Sequence, residues 1–410
     1  MTVKLQDIRQ AALKLSGQIV YTPCLRSETL SSQLGCELYI KFENQQFTAS
    51  FKERGALNWL LNQSQGDLDQ SGVIAMSAGN HAQALAYHGR RLGVATTIVM
   101  PRATPNAKVE ATRVFGAQVI LHGATFDETR QFTQDYAVKH KLKLVHPFDD
   151  PLVIAGQGTV GLEIIEQVPD VDVVVVPIGG GGLISGCAMA VKDQQLIAQG
   201  KQPPQVVGVQ VERFAGLHNA FHNLEQTSAA RLSTVAEGIA VKHPGEITSN
   251  LIHQYVDDVC LVEEAEVEQA IFDLLEIEKT VAEGAGAVPL ALIRKNSDQL
   301  RGKKVVMVLS GGNIDMMIMS SVLQRGLVRT NRLVRLQVEI PDTPGSLAEL
   351  TTLLGELDSN IMDIDHKRAF GGSSVKATLV ELVLQLRGEE QLDTVTQALH
   401  ARGYDVSQVY

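Results

Sequence analysis

Residues 171–183 read "VDVVVVPIGGGGL", a near-continuous apolar run that ends in four consecutive glycines. A run of this length that is rich in β-branched residues and carries a single charge, Asp172 near its start, suits a central parallel strand buried on both faces. "VVGVQVE" (206–212) and "KVVMVLS" (304–310) read in the same way. Between residues 70 and 150 short β-branched runs alternate with longer amphipathic ones: "VIAM" precedes "NHAQALAYHGRRLG", "VATTIVM" precedes "NAKVEATRVFG", and "QVILHG" precedes "FDETRQFTQDYAVKHK". Such βα units build a parallel sheet covered by helices. In an open α/β sheet ligands sit beyond the carboxyl ends of the strands, so the glycine-bearing loops there are the places to seek chemistry.

The texture changes near residue 326. "RGLVRTNRLVR", with Arg325, Arg329, Arg332 and Arg335, reads as a linker over 326–332. Beyond it Val334, Leu336, Val338 and Ile340 alternate with polar residues as a half-buried strand does, and "DTPGS" turns the chain. A helix with Leu347, Leu350, Leu354 and Leu357 on one face follows, then two strands flanking "GGSS" (371–374), a helix over about Glu389 to Arg402 and a last short strand. That order, βαββαβ, is ferredoxin-like and occupies 333–410. Two or three domains are expected from 410 residues.

Composition narrows the partners. A net charge of -10 and no long basic run provide no footprint for nucleic acid or for an anionic membrane. Val171 to Val191 carries only Asp172 as an ionised group, yet four glycines and Pro177 interrupt it and argue against a membrane span. The N-terminal segment has charges throughout and places Leu5, Ile8, Ala12 and Leu15 on one stripe, as a docking helix does and a signal peptide does not. Cys24, Cys36, Cys187 and Cys260 show no zinc spacing or disulfide framework, which suits a reducing, cytoplasmic setting. Small molecules are the expected partners.

Gly179, Gly180, Gly181 and Gly182 with Leu183 join the strand to the apolar helix "LISGCAMAV". Backbone N–H groups at such a helix start can cradle a phosphate, and a sharp turn that merely needs glycine is the alternative. The G-x-G-x-x-G spacing fails at Ile184 and no G-x-x-x-x-G-K-[ST] occurs, which leaves a phosphorylated ligand smaller than a dinucleotide or nucleoside triphosphate. "SAGNHAQALA" lies at another strand end. There Ser77 and the N–H groups around Ala78 and Gly79 could hold a carboxylate, and Asn80 can donate and accept; read alone, Ser77 or Asn80 is a helix cap and His81 an ordinary polar residue. "SGGN" (310–313) repeats the arrangement with Ser310. Finally, "TASFKERGAL" puts Lys52 on one helical face with Ala56, Trp59 and Leu60, where a lysine either snorkels to water or is held inside because something reacts with it.

Lys52 in "SFKERGA", Asn80 in "SAGNHAQ", the "GGGGL" loop and Ser310 in "SGGN", in this order and at these separations, resemble the pyridoxal-phosphate enzymes of the tryptophan-synthase-β type, and more closely their threonine dehydratase, serine dehydratase and serine racemase branch. The resemblance covers about residues 5 to 325. It implies fold type II, an α/β catalytic unit over 1–325 with a smaller subdomain, about 50–150, inserted in a larger one. It makes Lys52 the Schiff-base lysine and Gly179 to Leu183 the phosphate cradle. Asn80 would bond the cofactor's 3'-hydroxyl, Ser310 would face the pyridine nitrogen and Phe51 would lie beside the ring. Glu283 in "AEGAGA" matches a stretch near the cofactor, or is an exposed acid at a helix start. Glu237 in "AEGIA" matches a place near a cation in some relatives. "DTPGSLAEL" (342–350) resembles the turn of an ACT domain, which implies an amino-acid effector.

What the resemblance implies chemically is elimination from a hydroxy amino acid: L-threonine to 2-oxobutanoate and ammonia, with L-serine to pyruvate beside it, in a homodimer or homotetramer. A neutral lysine amine is needed, and burial lowers a lysine's pKa toward that form. Racemases of the branch have serine where Ala78 stands, and alanine cannot transfer a proton. Where Ala49 stands the family often has glycine, a departure that bears on which amino acid fits. Isoleucine or valine feedback on the enzyme is the expectation for the tail; the alternatives are a serine or 3-hydroxyaspartate dehydratase, a serine racemase, and, from another class, a catalytically inactive amino-acid sensor.

Overall fold

The computed structural model describes residues 3–64, 66, 71–198, 203–225, 233–242, 244–367 and 374–409. The chain forms two compact units, Met1–Asp315 and Met316–Tyr410.

The first unit holds two sheets. The larger has six strands in the order β1-β2-β10-β7-β8-β9: β1 (Cys24–Arg26), β2 (Glu37–Phe42), β7 (Val173–Pro177), β8 (Gln205–Val211), β9 (Asp258–Val262) and β10 (Lys304–Leu309). Only β1 runs antiparallel to its neighbour; the other pairs are parallel. All five residues of β7 are buried, which is why its sequence is apolar at every position rather than at alternate ones. The smaller sheet, β5-β4-β3-β6, is wholly parallel and uses β3 (Val73–Met76), β4 (Thr96–Met100), β5 (Gln118–Leu121) and β6 (Lys143–Leu144). Its chain segment lies between β2 and β7, so the smaller layer is an insertion in the larger.

Helices cover these sheets. They include α1 (Leu5–Leu15), α2 (Glu28–Leu34), α3 (Lys52–Leu61), α4 (Asn80–Arg91), α5 (Asn106–Val114), α6 (Phe126–His140), α7 (Pro151–Gln167), α8 (Gly182–Ala198), α9 (Gly216–Phe221), α10 (Glu246–Tyr255), α11 (Glu264–Glu276) and α12 (Gly284–Lys295). Their starts follow capping rules. Asp150 caps α7 by accepting from the N–H groups of Leu152 and Val153 at 2.8 and 3.1 Å, with Pro151 as the first helical residue. Helix α1 docks as its stripe suggested, with Ile8 buried beside Ile154, Ala155 and Met189 and Leu15 also buried, but Ala11 rather than Ala12 completes the buried face. Helix α3 departs further from a one-sided stripe. Every residue from Glu53 to Leu60 is buried, the charged ones included.

The second unit starts with α13 (Met316–Arg329). The stretch 326–332 is thus helical through Arg329 and turns at Thr330 and Asn331, rather than forming a linker; Met319, Val322 and Gly326 make the buried stripe that keeps it helical. Then β11 (Leu333–Pro341), α14 (Ser346–Glu356), β12 (Asn360–Lys367), β13 (Ala377–Gln385), α15 (Glu389–Ala401) and β14 (Asp405–Val409) form an antiparallel sheet in the order β12-β13-β11-β14. This is the ferredoxin-like order. Its own core gathers Val338, Leu350, Leu354, Val380, Leu382 and Val395 among others. Of "GGSS", residues 371–373 lie outside the described residues. Among the described residues no helix is long and apolar enough to cross a membrane.

Candidate active site

Three strand ends of the first unit converge. Beyond β10, the backbone of 310–312 runs beside residues 49–51: Phe51 N–H donates to Ser310 O at 3.0 Å, Gly312 N–H donates to Ala49 O at 2.9 Å, and Ser50 bridges Gly311. This pairing delivers Phe51 and Lys52, at the start of α3, to the carboxyl end of the large sheet. Ala49 adopts φ 54°, a left-handed conformation that disfavours a side chain. Ser310 is buried.

The ammonium of Lys52 does not snorkel to water. Its Nζ donates to Pro147 O at 2.8 Å and lies 5.2 Å from the Phe51 ring centroid. Burial lowers its pKa from the usual range to about 8, against the opposing pull of the Glu283 carboxylate. A substantial neutral fraction is therefore present near neutrality, which is the form that reacts with an aldehyde.

Asn80 opens α4 and stands between two partners. Its Nδ2 donates to Glu283 Oε1 at 2.6 Å, and its Oδ1 accepts from Asn313 Nδ2 at 2.8 Å, which also donates to Thr48 O at 2.8 Å. The orientation of the amide is thereby fixed, and one N–H of Nδ2 is left for a further acceptor. Glu283 is not an exposed acid: burial pushes its carboxyl up to about 7, with the Asn80 bond acting the other way. Gly311 is needed beside it, because a Cβ there would stand 2.3 Å from Glu283 Oε1.

The glycine loop follows β7 directly. Gly181 has φ +91°, and a Cβ at Gly180 would lie 2.3 to 2.4 Å from Phe148 ring atoms, so side chains are excluded from the cradle by conformation and by space. Thr248 Oγ1 donates to Gly180 O at 2.7 Å and pins the turn. Gly182 is the first residue of α8, whose opening N–H groups have no partner within the helix. Leu183 is buried behind them.

The remaining expected residues divide. Ser77 Oγ accepts from Gly79 N–H at 3.3 Å, an arrangement that shapes the turn Ser77–Ala78–Gly79 into α4. The His81 ring is buried with Nε2 3.3 Å from Val145 O, and burial together with the Lys52 charge lowers its pKa to about 3, so it is neutral and held by the scaffold. Glu237 pairs with Lys108 of α5. Among the described residues no group of three or more His, Cys, Asp or Glu side chains is placed to hold a metal ion. Pro147, Phe148, Thr248 and Asn313 take part in the site without having been singled out in the sequence; each acts through its position in space, and only Asn313, in "SGGN", lay inside a quoted motif.

These parts fit a small phosphorylated aldehyde: a side-chain-free cradle at a helix start, a lysine amine of lowered pKa, an oriented amide and a buried hydroxyl. The fold and the site are those of an α/β enzyme that uses such a cofactor. The chain belongs to the pyridoxal-phosphate dependent enzyme family, which it matches over residues 15–311. Its cofactor is pyridoxal phosphate. It is similar to the L-threonine ammonia-lyase of Thermotoga maritima, 42% identical over 404 residues that cover 98% of this chain and 99% of that one. It is similar also to the L-threonine ammonia-lyase of Geobacter sulfurreducens, 43% identical over 97% of each chain. Among solved structures, the processed form of threonine deaminase isoform 2 from Solanum lycopersicum superposes with a TM-score of 0.71 at 34% identity, covering 79% of this chain and 94% of that one. Serine racemase from Dictyostelium discoideum superposes with a TM-score of 0.70 at 34% identity, covering 77% and 100%.

Proposed function

We propose that the protein is an L-threonine ammonia-lyase, which releases 2-oxobutanoate and ammonia from L-threonine and accepts L-serine as a second substrate. The observation that carries this reading is a lysine amine of lowered pKa beside an oriented Asn80–Glu283 pair in a chain similar over nearly its whole length to two L-threonine ammonia-lyases. Pyridoxal phosphate, when bound, supplies an electron sink that makes the α-proton of an attached amino acid removable.

The chain's own residues do the rest. Lys52 would hold the aldehyde, and its amine, once free, would take the α-proton, since its pKa of about 8 lets it accept a proton and pass it on near neutrality. The N–H groups from Gly179 to Leu183 would hold the phosphate. Asn80, its amide oriented by Asn313 and Glu283, would donate to the 3'-oxygen, and the neutral Ser310 hydroxyl would face the ring nitrogen without imposing a charge there. Ser77, Ala78, Gly79, Asn80 and His81 would line the substrate side. Ala78 supplies no proton-transferring group, which favours elimination over racemisation, although serine racemases share the fold.

The second unit would bind an amino-acid effector, and the chain would assemble as a homodimer or homotetramer. A cytoplasmic setting accords with four free cysteines. Steady-state rates with L-threonine, L-serine and 3-hydroxyaspartate test the reading: the highest kcat/KM is expected for threonine, and a preference for 3-hydroxyaspartate, or formation of D-serine from L-serine without ammonia, would replace it.

A further inference from the structure

Glu53 follows Lys52 on α3 and is fully buried, yet none of the roles above uses it. A carboxylate so placed needs compensating partners. Its Oε1 accepts the backbone N–H of Thr48, and its Oε2 lies 3.2 Å from Nε2 of His88, which is also fully buried. The other ring nitrogen of His88, Nδ1, accepts from the Arg91 guanidinium at 3.0 Å. A guanidinium cannot accept, so Nδ1 is unprotonated and the Nε2–H is aimed at Glu53. Burial, reinforced by Arg91, lowers the His88 pKa and keeps the ring in this neutral form despite the opposing pull of Glu53. Arg91 is itself held by Gln18 O at 3.0 Å.

The line Arg91–His88–Glu53–Thr48 joins three parts of the site. Helix α3 opens at Lys52, helix α4 opens at Asn80 and carries His88, and residues 48–51 form the backbone strip beside both. The carbonyls of Thr48 and Ala49 are held from the other side by Asn313 and Gly312. Glu53 holds the N–H of Thr48. The strip is thus gripped by both edges, and its unfavourable Ala49 conformation persists because of that grip.

We propose that Glu53 and His88, both buried, with Arg91 at the exposed end, form a positioning relay that fixes the strip 48–51 against the incoming amino acid, setting substrate affinity rather than proton transfer at Lys52. The proposal rests on the reading of Lys52 as the cofactor-bearing lysine of an amino-acid lyase. Its members touch neither the cofactor cradle nor the Lys52 amine, so they act by positioning the strip and the two helices that flank it.

The test replaces the pair together, Glu53→Leu with His88→Leu, because removing both polar partners avoids stranding a buried charge. In the holoenzyme the visible absorption band of the cofactor is expected to remain. Amide hydrogen exchange over 47–51 should quicken at least tenfold, and KM for L-threonine should rise at least tenfold while kcat stays within about threefold, the pattern of lost binding that substrate and transition state share. Exchange and KM both within twofold of the parent would overturn the relay. Should the double variant not fold, Glu53→Gln and Arg91→Met are read by the same two measurements, and parental values in both would overturn it equally. A parent enzyme with its visible band intact but no turnover of any hydroxy amino acid would remove the lyase reading, and the exchange result alone would then decide the relay.

Discussion

Lys52 and Glu283 pull on each other's protonation across the site. The carboxylate raises the lysine's pKa while burial lowers it, and the net value of about 8 lies well below an ordinary lysine. Capture of pyridoxal phosphate by cofactor-free protein requires the neutral amine, so its rate should climb as pH rises through about 8 and level off above it. Stopped-flow growth of the visible band against pH checks this; a rate still rising tenfold per unit between pH 9 and 10 would contradict it. Glu283, with a pKa of about 7, is an anion at pH 8. Glu283→Gln removes its pull and should shift the midpoint below 8. Lys52→Ala should abolish both band and turnover. Lys52, Asn80 and Ser310 were legible in the sequence because each sits in a short local motif beside a strand end. Pro147 and Asn313 were not, since they meet Lys52 and Asn80 across 95 and 233 residues of chain. Glu53 and His88 escaped for the opposite reason: a charged residue on a helix ordinarily marks a solvated face, and only packing reveals that this helix has none.

At the scale of elements, α3 is anchored by charge where an apolar helix would rely on packing alone. Arg54, fully buried, makes two bonds to each of Glu43 and Glu163, and Lys41 adds its own to Glu163 and Thr22 O. Burial opposes the Arg54 charge, but the two carboxylates outweigh it and hold its pKa above the ordinary value. Arg54→Ala would leave Glu43 and Glu163 without their shared partner, at a cost of about 3–5 kcal/mol. Urea unfolding of the variant against the parent measures it, and a loss under 1 kcal/mol would show the network to be dispensable. The glycine loop is equally exacting: Gly180→Ala sets a methyl against the Phe148 ring, and overpacking of about 1–3 kcal/mol, if borne by the cofactor-bound form, predicts a loss of cofactor affinity of about 5- to 150-fold in a titration of the visible band. Strands β7 and β10 were plain in the sequence because full burial leaves an uninterrupted apolar run. Helix α13 was obscured because Arg325 and Arg329 punctuate it, although Met319, Val322 and Gly326 carry the helical period beneath them. The antiparallel placement of β1 and the neighbourhood of β2 and β10, paired from Glu37–Lys304 to Phe42–Leu309, depend on contacts that no local pattern encodes.

Over the whole molecule the two units have separate cores, and this separation makes regulation testable apart from catalysis. Leu382 sits fully buried at the middle of β13 in the core of the second unit, with no part in the site of the first. Leu382→Ala should cost that unit about 2–5 kcal/mol. If the second unit binds an amino-acid effector, weakening it must weaken the response, because coupling requires a folded site whose affinity differs between two states. Full-length enzyme carrying Leu382→Ala should therefore keep its visible band and its turnover of L-threonine without effector, yet lose most of any change in KM that isoleucine or valine produces in the parent. Reciprocity supplies a second reading, since substrate must shift effector affinity by the factor that effector shifts substrate affinity, and both shifts should shrink together. An undiminished response in the variant, at a temperature where its second unit has melted, would place the effector site in the first unit instead.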